Sequence, residues 1–168
     1  MIRRTFSIWL FAIFAAGAYV QAMAEVSEGI KKLIPETLVN AEGKEVSRES
    51  LAGKFVGIYF SAQWCPPCRG FTPKLVDFRN ANKDEFEVVF VSSDQTPKAQ
   101  EKYMKTYKMD WPAVTHGTED VNRLKDHFNV RGIPYLAVLN PDGKVVSSKG
   151  RSDVEESAGT ALATWKKK

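Results

Sequence analysis

Two cysteines three positions apart are the residues of this chain best suited to chemistry. Cys65 and Cys68 are the only cysteines in the 168 residues, and they stand in the segment Trp64-Cys65-Pro66-Pro67-Cys68. A bridge between them would close a very short loop, so it would constrain the unfolded chain little and serve poorly as a structural staple. The pair is therefore predicted to serve either thiol–disulfide chemistry or metal binding.

The setting of the pair between a strand and a helix favours exchange chemistry. A near-continuous apolar run at residues 55–60 (FVGIYF) indicates a buried strand, and a helical period begins at Pro66. A helix N-terminus favours an anion, so the first sulfur is the one that becomes a nucleophilic thiolate. Three-residue spacing places both sulfurs on one helical face. We predict Cys65 as the nucleophile and Cys68 as the resolving thiol of the mixed disulfide.

The neighbours of the pair shape its reactivity. Pro66 and Pro67 are well tolerated in a first helical turn, but neither carries an N–H group that could stabilise a thiolate. The N–H of Cys68 is then the nearest local donor. Arg69 adds a cation beside the site, and Trp64 is predicted to form part of the surface that contacts a client.

The remaining pattern predicts an α/β domain in which strands alternate with helices. Residues 27–35 are interpreted as a polar lead-in, and Pro134 on its own marks only the start of a strand. The predicted elements are a hairpin over 37–47, strands at 55–60 and 86–92, helices at 66–79, 97–108, 121–128 and 154–165, and a hairpin over 135–147.

The first 24 residues have the pattern of a secretory signal peptide. Arg3 and Arg4 precede an uncharged run from Ile8 to Val20, and the sequence QAMA then offers a cleavage site after Ala24. The run is too short for an ordinary membrane-spanning helix, which needs about 20 apolar residues. We expect a signal peptide at 1–24, one domain at 25–168, and export, with the bacterial periplasm as the expected location.

The charge balance argues against nucleic acid as a partner. The chain has a formal net charge of +4, and removal of a leader that holds two arginines and no acid lowers this to +2. No basic stripe interleaved with aromatic residues is present. We expect no nucleic-acid partner.

The segments around the pair resemble the active-site region of tryparedoxins and nucleoredoxins, within the thioredoxin superfamily. The likeness covers about residues 36–150 and is carried by 59–69 (YFSAQWCPPCR), 108–114 (KMDWPAV) and 130–134 (VRGIP). It implies a thioredoxin fold, with a central mixed β-sheet flanked by helices and an N-terminal β-hairpin extension. It also implies a protein disulfide oxidoreductase that acts on client proteins as a monomer.

The resemblance assigns further roles at the site. Pro134 is expected to be cis and to lie against the Cys65–Cys68 pair. The backbone of Ile133 is expected to pair with a client peptide as an added strand, and Trp111 is expected to contact substrate. No organic cofactor is expected, because the redox group is the cysteine pair itself. A protein redox partner would reduce this pair again after each reaction.

Two departures from the resemblance leave questions open. Thioredoxin has a buried Asp six residues before its first cysteine, and Tyr59 stands there in this chain, so the proton acceptor for Cys68 is unidentified. Tryparedoxins are cytosolic, whereas export is expected here. Exported relatives of the TlpA and ResA type are reductants fed by a membrane protein, and this analogy favours a reductase with a membrane-bound partner.

Metal binding is the alternative function. A zinc site needs about four ligands, and only His116 and His127 remain to complete one, each of them predicted to be an ordinary histidine. A copper carrier on the same fold is the second possibility, although such carriers typically use Cys-x-x-x-Cys with a distant His. We expect no metal, and metal analysis of the reduced protein discriminates between the two functions.

Overall fold

The computed structural model describes residues 25–168, so the predicted leader, its cleavage site and the domain boundary at residue 24 lie outside the described residues. A short 3-10 helix spans Arg48–Leu51. The other elements, in chain order, are α1 (Glu28–Leu33), β1 (Thr37–Val39), β2 (Glu45–Ser47), β3 (Phe55–Ser61), α2 (Pro66–Ala81), β4 (Phe86–Ser92), α3 (Pro97–Thr106), α4 (Glu119–His127), β5 (Tyr135–Leu139), β6 (Val145–Ser147) and α5 (Gly150–Trp165).

The main sheet is mixed and has the strand order β4-β3-β5-β6. Strand β3 runs parallel to β4 and antiparallel to β5, which in turn pairs with β6 as a hairpin. Strand β3 is therefore central, which agrees with its unbroken apolar sequence. The predicted mixed sheet flanked by helices is confirmed.

Helices cover both faces of this sheet. Alternate residues of β3 point to opposite faces, so Tyr59 joins one apolar cluster while Ile58 and Phe60 join the other. The first cluster contains residues of α2, α3 and α5, and the second contains residues of α1 and α4.

The N-terminal hairpin of β1 and β2 is attached to the edge of the main sheet. Its register pairs Thr37 with Ser47, and Ala113 bridges Val39 on one side and Phe90 of β4 on the other. The predicted hairpin extension is therefore confirmed.

The polar lead-in expected over 27–35 is wrong, because this segment contains the short helix α1. The Oγ of Ser27 accepts a hydrogen bond from the N–H of Ile30, and the helix buries Ile30 against the second cluster. Six residues are too few for a helical period to stand out in the sequence. None of the helices within residues 25–168 is long and apolar enough to cross a membrane.

Candidate active site

The cysteine pair lies at the start of α2, just after the end of β3. Cys65 is the N-cap residue of α2, with an extended backbone, and Pro66 and Pro67 occupy the first two helical positions. Cys65 and Cys68 are joined by a disulfide bond. Cys65 is 4% exposed and Cys68 is fully buried, so the first sulfur is the one that a client can reach.

The loop before β5 closes over the pair from the other side. The carbonyl oxygen of Ile133 lies 3.7 Å from the Sγ of Cys65, and Ile133 packs against both cysteines and Ala62. The peptide bond between Ile133 and Pro134 is cis. The structure thus brings Ile133 to the disulfide, with Pro134 next to it in the chain, at the end of the sheet where Phe60 pairs with Tyr135.

Hydrogen bonds to the end of β4 hold the segment that leads into Cys65. The indole Nε1 of Trp64 donates to the carbonyl of Ser93 over 3.0 Å, and the N–H of Gln63 donates to Oδ1 of Asp94 over 2.8 Å. The other oxygen of Asp94 accepts a hydrogen bond of 2.8 Å from Ser92. Trp64 remains 58% exposed, so its ring forms part of the surface around the disulfide.

Asp94 contacts the active-site segment and was not predicted from the sequence. Its carboxylate is buried, and it positions the active-site segment through Gln63. A signal was present, because β3 and β4 are consecutive buried strands and the ends of parallel strands meet at one edge of a sheet. A polar residue just after β4 is therefore placed beside the residues that follow β3.

Arg69 lies in the first turn of α2 and is exposed. Its N–H donates to the carbonyl of Cys65 at 3.1 Å, and its Nη1 lies 3.5 Å from the carbonyl of Gln63, an acceptor at the limit of hydrogen bonding. The guanidinium is thus beside the active-site segment but not locked to an acid.

A cluster of hydroxyl groups lies beneath the resolving cysteine. The hydroxyl of Thr72 donates to the carbonyl of Cys68 at 2.8 Å, and the hydroxyls of Tyr59 and Tyr103 lie 2.8 and 2.6 Å from the same Thr72 oxygen. Thr72 has one hydroxyl hydrogen, so both tyrosines must donate to it, and Ser61 then donates to Tyr103 at 3.0 Å. The cluster fixes the first turns of α2 against the sheet.

The tyrosines of this cluster cannot serve as bases near neutral pH. Burial raises the pKa of Tyr59 far above its ordinary value, and burial also raises the pKa of Tyr103. Tyr59 stands at the position where thioredoxin has an aspartate. Because its pKa is raised, it stays protonated and holds α2 by hydrogen bonding. It does not accept the proton of Cys68.

An open groove adjoins the disulfide on the side of Trp64. It has a volume of about 460 Å³ and lies between the first turn of α2 and the exposed face of α3. We call it the Trp64–Lys102 groove, and its walls include Gln63, Trp64, Arg69, Gln95, Lys102 and Tyr107.

The structure does not bring Trp111 to the disulfide. Trp111 is 3% exposed and packs in the cluster of the first sheet face, where it lines a separate cavity with Arg79 and Glu87. The reason is that the segment after α3 runs along β4, with Ala113 bridged to Phe90, and this places Trp111 away from the end of β3. The expectation that Trp111 contacts substrate stays a prediction, and this placement gives it no support.

The two histidines lie apart from the cysteine pair. The Nε2 of His116 is 2.8 Å from the carbonyl of Asp94, and His127 packs edge-on against Phe128. No group of three or more His, Cys, Asp and Glu side chains in the described part of the chain is placed to hold a metal ion.

Comparison with known proteins agrees with this geometry. The family model described as thioredoxin-like matches residues 53–145. The chain is 44% identical over 116 residues to probable nucleoredoxin 1 of Arabidopsis thaliana, an alignment that covers 67% of the chain and 20% of the relative. It is 38% identical over 128 residues to nucleoredoxin of Mus musculus, covering 74% of the chain and 29% of the relative. The chain therefore spans less than a third of the length of these curated relatives.

Solved structures match over nearly their full length. Native tryparedoxin I from Crithidia fasciculata is 42% identical, with a TM-score of 0.69, and the match covers 78% of this chain and 94% of that one. Thioredoxin from Wuchereria bancrofti is 39% identical, with a TM-score of 0.68 and coverage of 80% and 96%. The fold is thus the thioredoxin fold, with a disulfide-bonded cysteine pair at the N-terminus of α2. The chain belongs to the thioredoxin-like family.

Proposed function

We propose that this protein reduces disulfide bonds of client proteins outside the cytoplasm. The observation that carries the exchange chemistry is the Cys65–Cys68 disulfide at the start of α2, with the Ile133 carbonyl beside the first sulfur. A client chain that crosses Cys65 meets this backbone edge on one side and the exposed ring of Trp64 on the other.

The reaction transfers two electrons from the cysteine pair to the client. The thiolate of Cys65 attacks one sulfur of the client disulfide, the client S–S bond breaks, and one client thiolate leaves. The thiolate of Cys68 then attacks the Cys65 sulfur of the mixed disulfide, which releases the second client thiolate and forms the Cys65–Cys68 bond. A dithiol redox partner reverses this oxidation, and a membrane-bound partner would suit the proposed location.

The first turn of α2 supports reduction as the direction. A thiolate at the N-cap is stabilised mainly by the N–H groups of the second and third helical positions. Here the second position is Pro67, which has no N–H, so only Cys68 can donate. A dithiol whose reduced form is weakly stabilised has a low reduction potential and is a reductant.

The proposed location rests on the sequence of residues 1–24. The arginines at positions 3 and 4, the uncharged run and the QAMA site together have the order of regions that a signal peptide requires. Cell fractionation of the full chain tests this. A product that begins at Glu25 in the exported fraction supports the proposal, and an uncleaved product in the cytosol contradicts it.

The reduction potential tests the direction. Equilibration of the protein with glutathione buffers, followed by quantification of free thiols, gives the potential of the Cys65–Cys68 pair. Potentials of such dithiols run from about −270 mV for reductants to about −120 mV for oxidants. We expect a value near the low end, and a value near the high end would show an oxidase or isomerase. In this proposal the protein acts on its clients as a monomer, and it needs no organic cofactor.

A further inference from the structure

The walls of the Trp64–Lys102 groove carry more positive than negative charge. Arg69 and Lys102 are both exposed there, and none of the ion pairs within residues 25–168 involves either of them. Lys98 and Lys105 lie on the same exposed side of α3, one turn before and almost one turn after Lys102. The groove is thus lined by two cations, Arg69 and Lys102, with two more lysines on the neighbouring surface of α3, and none of the four has an ion-pair partner among the described residues.

Asp94 is the one acid among the described residues that line the groove. It is buried, its two oxygens accept hydrogen bonds from the N–H of Gln63 and the hydroxyl of Ser92, and its formal negative charge is outnumbered by the two lining cations. Glu101 of α3 lies on another side of the helix, where it lines a separate cavity with Gly43. Within residues 25–168, the lining of the groove therefore holds two formal positive charges and one negative charge.

The groove also lies beside the segment that carries Cys65. The Trp64 ring forms one of its walls and is held in place by the bond from Nε1 to the carbonyl of Ser93, 3.0 Å long. Trp64 directly precedes the reactive Cys65. A client segment that extends from its cysteine across this ring reaches the groove within a few residues, because an extended chain covers about 3.3 Å per residue.

We propose that the Trp64–Lys102 groove binds an acidic side chain of the client, a few residues from the disulfide that is reduced. The occupant is a carboxylate of the client polypeptide, which pairs with Lys102 and Arg69 while the client cysteine lies at Cys65. This inference rests on the proposed exchange function and adds the substrate class that the site prefers. Charges at the rim of an interface act mainly on the rate of association, so the preference is expected in the second-order rate constant.

Two matched peptides test the proposal. Each contains one disulfide, and they differ only in glutamates or glutamines at positions flanking one cysteine. The rate at which each oxidises the reduced full-length protein is measured at about 0.01 M and about 1 M salt, where the Debye length falls from about 30 Å to about 3 Å. We expect the acidic peptide to react about two- to fivefold faster at low salt, and this ratio to approach one at high salt.

Variants locate the effect. Lys102→Glu should bring the low-salt ratio to one or below. Lys144→Glu is the matched control, because Lys144 is exposed in the turn beyond Leu139, at the opposite end of β5 from Tyr135, and should keep the wild-type ratio. A ratio of one in the wild type overturns the inference, as does an acidic preference that persists in Lys102→Glu. If neither peptide reacts with the wild type, the exchange function itself fails, and the inference fails with it.

Discussion

The Sγ of Cys65 and the carbonyl oxygen of Ile133, 68 positions apart in the chain, lie 3.7 Å from each other. The contact forms because β3 and β5 are neighbours in the sheet, so that the segment after β3 meets the segment before β5. It places the reactive sulfur beside a backbone group that a client peptide can use. In the proposed mechanism, the attacking thiolate and the client-binding edge therefore come from one junction of the fold.

The missing N–H of Pro67 sets the stability of the reduced form. Pro67→Ala supplies a donor at the second helical position, where N-cap groups find their usual partner, and should stabilise the Cys65 thiolate. We expect the reduction potential to rise by about 30 mV, equivalent to about 1.4 kcal/mol. Pro66→Ala is the control, since an N–H at the first position is not the usual partner of the N-cap side chain. An equal rise in both variants would contradict this account.

Asp94 is expected to act as a positioning residue. Asp94→Ala leaves the Gln63 N–H and the Ser92 hydroxyl without their acceptor, so it should destabilise the protein by about 1–3 kcal/mol. It should also slow the reaction with clients, because the Trp64 segment loses its anchor. Asp94→Asn retains an acceptor and should restore most of the exchange rate under conditions in which both variants are folded. Equal rates for the alanine variant and the wild type would show that Asp94 serves stability alone.

The buried tyrosine predicts a loss of stability in alkaline solution. Because burial raises the pKa of Tyr59 in the folded state, the unfolded chain loses this proton first as the pH rises. The stabilisation is present below the unfolded pKa of about 10 and is lost above it, at about 1.4 kcal/mol per pH unit for one proton. Denaturant unfolding of Tyr59→Phe should show a shallower decline than the wild type above pH of about 10. If the free energies of unfolding of Tyr59→Phe and the wild type fell equally with pH, a buried and protonated Tyr59 would be refuted.

Substitutions of Trp64 and Trp111 should have different effects, one on the rate of client reduction and the other on stability. Trp64 is exposed beside the disulfide, so Trp64→Ala should slow client reduction severalfold and change the free energy of unfolding little. Trp111 is buried in the core, so Trp111→Ala should cost about 3–5 kcal/mol of stability. The milder Trp111→Phe should fold and reduce clients at the wild-type rate. A slower reaction in folded Trp111→Phe would show that Trp111 contributes to the substrate site.

Local patterns in the sequence were sufficient to predict most of the helices and strands. The apolar run of β3, the turn residues of both hairpins and the start of α2 at Pro66 each predicted their element, since period and turn chemistry are local properties. Helix α1 was missed, because one and a half turns carry little periodic signal. The absence of other cysteines left exchange chemistry or metal binding for Cys65 and Cys68, and their position between a strand and a helix favoured exchange.

Relations between distant segments were harder to predict. The anchoring role of Asp94 depends on the adjacency of β3 and β4, and the hydroxyl cluster depends on α3 bringing Tyr103 to Thr72. The burial of Trp111 was also hard to predict, because it depends on the bridge of Ala113 to β4 rather than on its neighbours in sequence.

The most direct test of the exchange mechanism is to trap the client intermediate with single cysteine variants. Reduced Cys68→Ser is incubated with a disulfide-containing client such as insulin, and the products are separated without reductant and identified by mass spectrometry. We predict a stable mixed disulfide through Cys65 in Cys68→Ser, and neither adduct nor turnover in Cys65→Ser. Full insulin reduction by Cys65→Ser, or an adduct formed through Cys68, would contradict the assignment of Cys65 as the nucleophile.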